Sequence, residues 1–167
     1  MNEPKPCVAI LGAGPGLGQA LARAYGQRGY AVALAARRVE PLQALCAQLA
    51  QEGIAAQAFS ADSRRSADIQ HLFSAIRDRF GGVDALYYGP NAPEAFVPAT
   101  TLTVSDVQDK MALFLYGLMD AVAEVLPRMR RQQAGSILVG LGGSAMHGMP
   151  HMSGPGPALA AARNYQI

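Results

Sequence analysis

Leu11-Gly12-Ala13-Gly14-Pro15-Gly16-Leu17-Gly18 stands directly behind the apolar run Cys7-Val8-Ala9-Ile10-Leu11 and opens an amphipathic stretch. A strand, a glycine turn and a helix in that order build a cradle for phosphate. The glycines let the backbone turn tightly and approach a pyrophosphate. The helix behind them presents unpaired N–H groups and the positive end of its dipole to the anion. This segment therefore predicts a β–α–β unit whose first turn takes a phosphorylated ligand.

Outward from that turn, short β-rich runs alternate with longer helical ones. The first strand is Cys7–Leu11, and the helix after it covers residues 16–28, with Leu17, Ala20, Leu21 and Ala24 at helical spacing. Ala31–Ala36 is the second strand. Pro41 suits a helix start, and Leu42, Leu45, Cys46 and Leu49 form that helix's buried stripe. Gly53 ends it, and residues 54–60 read as a third strand. Ser66 is the expected cap of the next helix, whose Ile69, Leu72, Phe73, Ile76 and Phe80 line one face until Gly81-Gly82 stops it. Residues 83–88 form the fourth strand, followed by a proline-containing loop over 89–101.

Thr103 and Asp106 resemble a helix-start capping pair, with Asp in place of the usual Glu or Gln. The helix after them is expected to reach residue 129, with a bend at Pro127. Gly135 leads into a fifth strand over 136–141. A loop rich in Gly, Pro and Met follows, then a last helical stretch from residue 157 to the end. Alternation of this kind predicts right-handed crossovers and a Rossmann-like, doubly wound α/β fold: a parallel sheet with helices on both faces. No repeat or linker divides the chain, so residues 1–167 are read as one domain.

With 167 residues, half of them hydrophobic, the chain can bury a substantial core. Its charged fraction is 16% and its formal net charge +2, which offers no electrostatic case for nucleic acid or an anionic membrane as partner. Arginine clusters at Arg37-Arg38, Arg64-Arg65 and Arg128/Arg130/Arg131 suit solvated helix ends or loops. Cys7 in the first strand and Cys46 on a helix's apolar face read as small core residues rather than a bridge. The N-terminus lacks the basic-then-apolar layout of a signal peptide, and no apolar run reaches membrane-spanning length. A cytoplasmic location is the expectation.

The plain G-x-G-x-x-G pattern does not fit, because Leu17 interrupts it; Gly12-x-x-x-Gly16-x-Gly18 does. That spacing resembles the glycine pattern of the short-chain dehydrogenase/reductase family, and further marks come in the family's order. Arg37 follows the second strand and Asp62-Ser63 the third, and Gly82-Val83-Asp84-Ala85-Leu86 introduces the fourth. Leu126-Pro127-Arg128-Met129 closes the long helix, and Gly135-Ser136-Ile137-Leu138-Val139 begins the fifth strand. The resemblance covers almost the whole chain. It implies an oxidoreductase acting on a carbonyl or alcohol with NAD(H) or NADP(H). It assigns Gly12, Gly14, Pro15, Gly16, Leu17 and Gly18 to the cofactor turn and places Asp62 and Ser63 against the adenine. Asn91 joins the cofactor set as the last of Tyr88-Gly89-Pro90-Asn91, which stand for the family's Asn-Asn-Ala-Gly.

Charge bears on the choice of cofactor. NAD enzymes of this kind place an acid at the end of the second strand to receive the ribose hydroxyls. Here that place is Ala36, with Arg37 and Arg38 beside it. A guanidinium grips a 2′-phosphate with two parallel hydrogen bonds, so NADP(H) is favoured over NAD(H). The bland alternative is two arginines ending a strand in water.

The family's catalytic residues are harder to find. Its Tyr-x-x-x-Lys pair, helped by a Ser and an Asn, works because an ammonium lowers the phenol's pKa towards neutrality. Aligned on that segment, Met152 takes the Tyr place and Gly156 the Lys place, while the helix Asn falls near Phe114. None of the six tyrosines has Lys four positions on, and the lysines are Lys5 and Lys110. Three candidate replacements remain: Ser144 as a hydroxyl donor, and His147 and His151, which could serve as proton donors or sit idle in solvent. No metal site is expected, because Gly148 and Pro150 break the helix that a four-residue His spacing would need, and no carboxylate or cysteine joins the pair. Lys110 could face the cleft or the surface, and Met146, Met149 and Met152 could line an apolar pocket or pack the loop.

Family members carry two further strands and a substrate-covering segment, so the chain is expected to be truncated after its fifth strand. An open apolar strand at a sheet edge invites pairing. Either the natural protein is longer or a partner covers this edge. The resemblance also implies a homodimer or homotetramer through the helix over residues 105–129 and the one beginning near Pro157. A small molecule of unassigned identity is the expected substrate. The other function class left open is a silent nucleotide-binding or sensor protein.

Overall fold

The computed structural model describes residues 5–91, 97–150 and 153–166. Five strands, β1 (Cys7–Leu11), β2 (Ala31–Ala36), β3 (Ala56–Ser60), β4 (Ala85–Tyr88) and β5 (Ser136–Val139), form one parallel sheet in the order β3-β2-β1-β4-β5. Ile10 stands between Leu34 of β2 and Tyr87 of β4, and Tyr87 pairs with Leu138 of β5. The helices are α1 (Leu17–Gly26), α2 (Glu40–Gln51), α3 (Ser66–Phe80), α4 (Val104–Met111), α5 (Gly117–Gln132) and α6 (Gly156–Tyr165). A π-turn over Ala112–Tyr116 joins α4 to α5 without a break, and a short 3-10 turn occupies Gly143–Ala145.

β1 explains why both faces need covering. All five of its residues are buried, and successive side chains point to opposite sides. Val8 and Ile10 join Ala22 of α1 and Leu42, Leu45 and Leu49 of α2. Cys7, Ala9 and Leu11 join a second core with α3 and α5, containing Ile69, Phe73, Ile76 and Leu118. The doubly wound reading of the sequence holds.

Several boundaries move, each for a local reason. β3 starts at Ala56 rather than at 54, because the Ile54 amide donates to Leu49 O and closes α2. β4 starts at Ala85, because Gly81 and Gly82 take positive φ and the Asp84 carboxylate is occupied by the Cys7 amide at 2.9 Å. β5 ends at Val139 rather than at 141. Ser66 is the first helical residue, not the cap: Arg65 holds the cap position without a side-chain bond.

The Thr103–Asp106 pair does form a capping box. Thr103 Oγ accepts from the Asp106 amide at 3.2 Å, and the Asp106 carboxylate accepts from the Thr103 amide at 2.9 Å. The irregularity in the long helix lies at residues 112–116, while α5 continues through Pro127. Among the described residues no helix is long and apolar enough to cross a membrane.

Candidate cofactor cleft

The C-terminal ends of β1, β2, β3 and β4 meet in one cleft, as expected beside the point where strand order reverses. Its first wall is the glycine turn. Gly12 has φ +79°, and a Cβ there would overlap Gly89 O and the Pro90 backbone, so only glycine fits. The Gly12 and Ala13 amides both donate to Ala35 O, at 2.9 and 3.1 Å, which ties the turn to β2. Gly16 occupies the N-cap position of α1 at φ 103° and supplies no side-chain cap. Within the first turn of α1 the Gln19 amide donates to Gly14 O at 3.1 Å and the Ala20 amide to Gly16 O at 2.9 Å. This leaves the Leu17 and Gly18 amides, with no backbone acceptor among the described residues, for solvent or an anion. Gly18 lets the helix start close to Ala13: a Cβ would sit 3.0 Å from Ala13 Cα.

The sequence-assigned cofactor residues divide into two sets. Gly12, Gly14, Pro15, Arg37, Arg38, Asp62, Ser63 and Asn91 line the cleft together, although they come from four separate stretches of chain. Gly16, Leu17 and Gly18 are not part of the lining. Leu17 is 60% exposed, so it belongs to no buried stripe; Gly18 and Ala22, one turn apart, carry that role on α1.

Arg37 and Arg38 are exposed at the mouth, and neither has an ion-pair acceptor among the described residues. Asp62 is engaged locally: its carboxylate accepts from the Arg64 amide at 3.1 Å, and its amide donates to Asp68. Ser63 is buried.

Sequence reasoning placed Arg64 among solvated clusters, yet it lines the cleft. Its guanidinium holds Asp109 of α4 by two bonds, at 2.7 and 3.2 Å. That pairing, with a further bond from Lys110 at 3.0 Å, holds the Asp109 carboxyl below its ordinary range. Lys110 is not a surface lysine, for its side chain is 14% exposed. Leu113 of the π-turn also lines the cleft, and its helical position carried no sequence signal for that.

A second cavity, of about 550 Å³, opens beside the 3-10 turn and is lined in part by Ser144, His147, Met146 and Met149. His147 is exposed there. Ser144 is 8% exposed, and its hydroxyl is enclosed with no hydrogen-bond partner among the described residues. His151 and Met152 lie outside the described residues. Phe114, at the family's Asn place, packs with Ala145, Ala158 and Leu159 in an apolar cluster. Gly156 begins α6. Among the described residues, no three His, Cys, Asp or Glu side chains form a group able to hold a metal.

Comparison with known proteins bears on this geometry. A family model described as short chain dehydrogenase matches residues 6–155. A 3-oxoacyl-[acyl-carrier-protein] reductase of Bos taurus is 32% identical over 144 residues, covering 82% of this chain and 58% of that protein. Serine 3-dehydrogenase of Agrobacterium fabrum is 31% identical over 149 residues, covering 88% and 57%. The chain thus spans somewhat over half the length of these curated relatives. The fold of levodione reductase matches with a TM-score of 0.89 at 23% identity, over 96% of this chain and 63% of that one. An alcohol dehydrogenase from the archaeon Thermococcus sibiricus, complexed with 5-hydroxy-NADP, matches with a TM-score of 0.87 at 26% identity, over 96% and 68%.

Proposed function

The chain belongs to the short-chain dehydrogenase/reductase family, and from that membership we propose that its cleft takes NADP(H) in preference to NAD(H). The protein would use the cofactor for hydride transfer to or from a small carbonyl or alcohol compound. The carrying observation is that two guanidinium groups without ion-pair acceptors among the described residues share one cleft with the glycine turn. A 2′-phosphate satisfies both charges through charge-assisted bonds, whereas Ala36 has no carboxylate for a bare ribose. Neighbouring folds solved with NADP and with 5-hydroxy-NADP support nucleotide binding at such a cleft.

Catalysis rests on less. Phe114 and Gly156 offer no proton at the family's Asn and Lys places, and the Ser144 hydroxyl is enclosed. This favours a second reading, a nucleotide-binding protein that turns nothing over. In the catalytic reading His147, and Ser144 after a side-chain rotation, are the candidates among the described residues for hydrogen-bonding a carbonyl, and His151 is the third candidate. We further propose a cytoplasmic homodimer or homotetramer.

Titration with both nucleotides tests the cofactor. Arg37→Ala should weaken NADPH by about 10-fold or more, the worth of a hydrogen bond to a charged group, and leave NADH nearly unchanged. Equal loss for both nucleotides would remove the proposed preference. Hydride transfer to a panel of aldehydes, ketones and quinones separates the two readings, and absence of turnover across that panel with NADPH bound favours the second.

A further inference from the structure

Tyr88 closes β4 and is 1% exposed, with its hydroxyl donating to the carbonyl of Leu113 at 2.5 Å. That carbonyl belongs to the π-turn, where the helical ladder widens and the Gly117 amide reaches back to Ala112 O. Gly117 is glycine for a packing reason: a Cβ would overlap the Ser63 carbonyl oxygen and stand 2.5 Å from Tyr88 Oη. Ser63 and Leu113 both line the cofactor cleft. Phe114, the next residue of the turn, seats α6 through Leu159 and Ala158. One phenol therefore stands where the cleft wall, the π-turn and the footing of α6 converge.

We infer that Tyr88 is a positioning residue: its hydroxyl locks the π-turn, and the locked turn sets Leu113 against the cleft and Phe114 against α6. A π-turn persists only where its surroundings reward the wider register, because a regular α-turn is otherwise preferred. Here the reward is a buried hydrogen bond, and losing it would leave the Leu113 carbonyl without that donor in an apolar setting. Burial raises the Tyr88 phenol above its ordinary pKa, so the donor proton is kept at neutral pH.

The neighbouring tyrosine provides the matched control. Tyr87 points to the opposite face of the sheet, into the α1–α2 core. Its ring lies against Gly89 and Gly140, and its hydroxyl has no hydrogen bond among the described residues.

Amide hydrogen exchange and NADPH titration on the full chain test the inference. In Tyr88→Phe, exchange should quicken about 10-fold in residues 112–117 and in α6 while β1 and α1 keep their rates, as a local opening requires. NADPH affinity should fall by a similar factor. Replacing Tyr88 with 4-aminophenylalanine, which keeps a donor, should restore both, and Tyr87→Phe should alter neither. Unchanged exchange at 112–117, or a uniform rise that includes β1 and α1, overturns the inference. Should Tyr88→Phe fail to fold, the wild-type chain decides: the 112–117 amides must exchange more slowly than the rest of the long helix, and equal or faster exchange overturns it. The affinity measurement rests on the proposed cofactor and the exchange measurement does not. Absent NADPH binding with a local exchange change would therefore sink the cofactor reading alone.

Discussion

Gly12 shows how one residue can be required by two demands at once. Its φ of +79° disfavours any side chain, and the Gly89–Pro90 backbone fills the space a Cβ would need. Gly12→Ala should therefore cost about 2–4 kcal/mol and abolish nucleotide binding, measurable by urea unfolding and by NADPH titration. Asp109 adds a pH-dependent contribution. Its pairing with Arg64 lowers its folded pKa below the ordinary 3.8, so the stabilisation is present above that value and disappears as pH falls through the folded pKa. Asp109→Asn should unfold at a lower temperature than the wild type at pH 7, and the gap should close as acidification protonates Asp109. A gap that persists at low pH would assign the effect to packing. Both residues were present in the sequence; Gly12 announced itself through its spacing, while Asp109 acquired a role only when α4 met the β3–α3 loop.

Among the elements, α4 has the clearest local signal. Thr103 and Asp106 satisfy each other's amides, and Asp performs the work of the longer Glu because its carboxylate also accepts the Thr103 hydroxyl at 2.6 Å. Thr103→Ala should destabilise the chain by about 1 kcal/mol, read from the shift in the urea midpoint at constant slope. Helix ends of this type are legible because the cap and its partner lie three residues apart. Strand ends were less so. Ile54 and Val83 carry β-type side chains, yet the first caps α2 and the second follows two glycines of positive φ. The π-turn had no signal at all, since Ala112–Tyr116 reads as ordinary helix and its contacts, among them the Tyr88 bond to Leu113 O, come from distant segments.

At the scale of the molecule, Asp84 joins parts of the chain that are far apart in sequence. Its carboxylate accepts from the Cys7 amide, from Arg128 at 3.2 Å and from Gln132 at 3.4 Å, linking β1, β4 and α5. Asp84→Ala would orphan the buried Cys7 amide and take one acceptor from the half-exposed Arg128 guanidinium, which keeps Gly81 O, and should cost about 1–3 kcal/mol across the whole cooperative transition. A loss confined to local exchange around Arg128, with global stability unchanged, would contradict that linkage. What the amino-acid order determined by itself was the alternation of strands and helices, the parallel doubly wound sheet and the glycine turn with its arginines. All of these follow from periods and spacings within a few residues. The tertiary structure alone decided that Arg64 braces the cleft, that the Ser144 hydroxyl is enclosed, and that Tyr88 reaches Leu113. Those contacts join positions 45 and 25 residues apart for the first and last. They exist because the sheet's strand order brings the segments together, and no local pattern encodes a meeting of that kind.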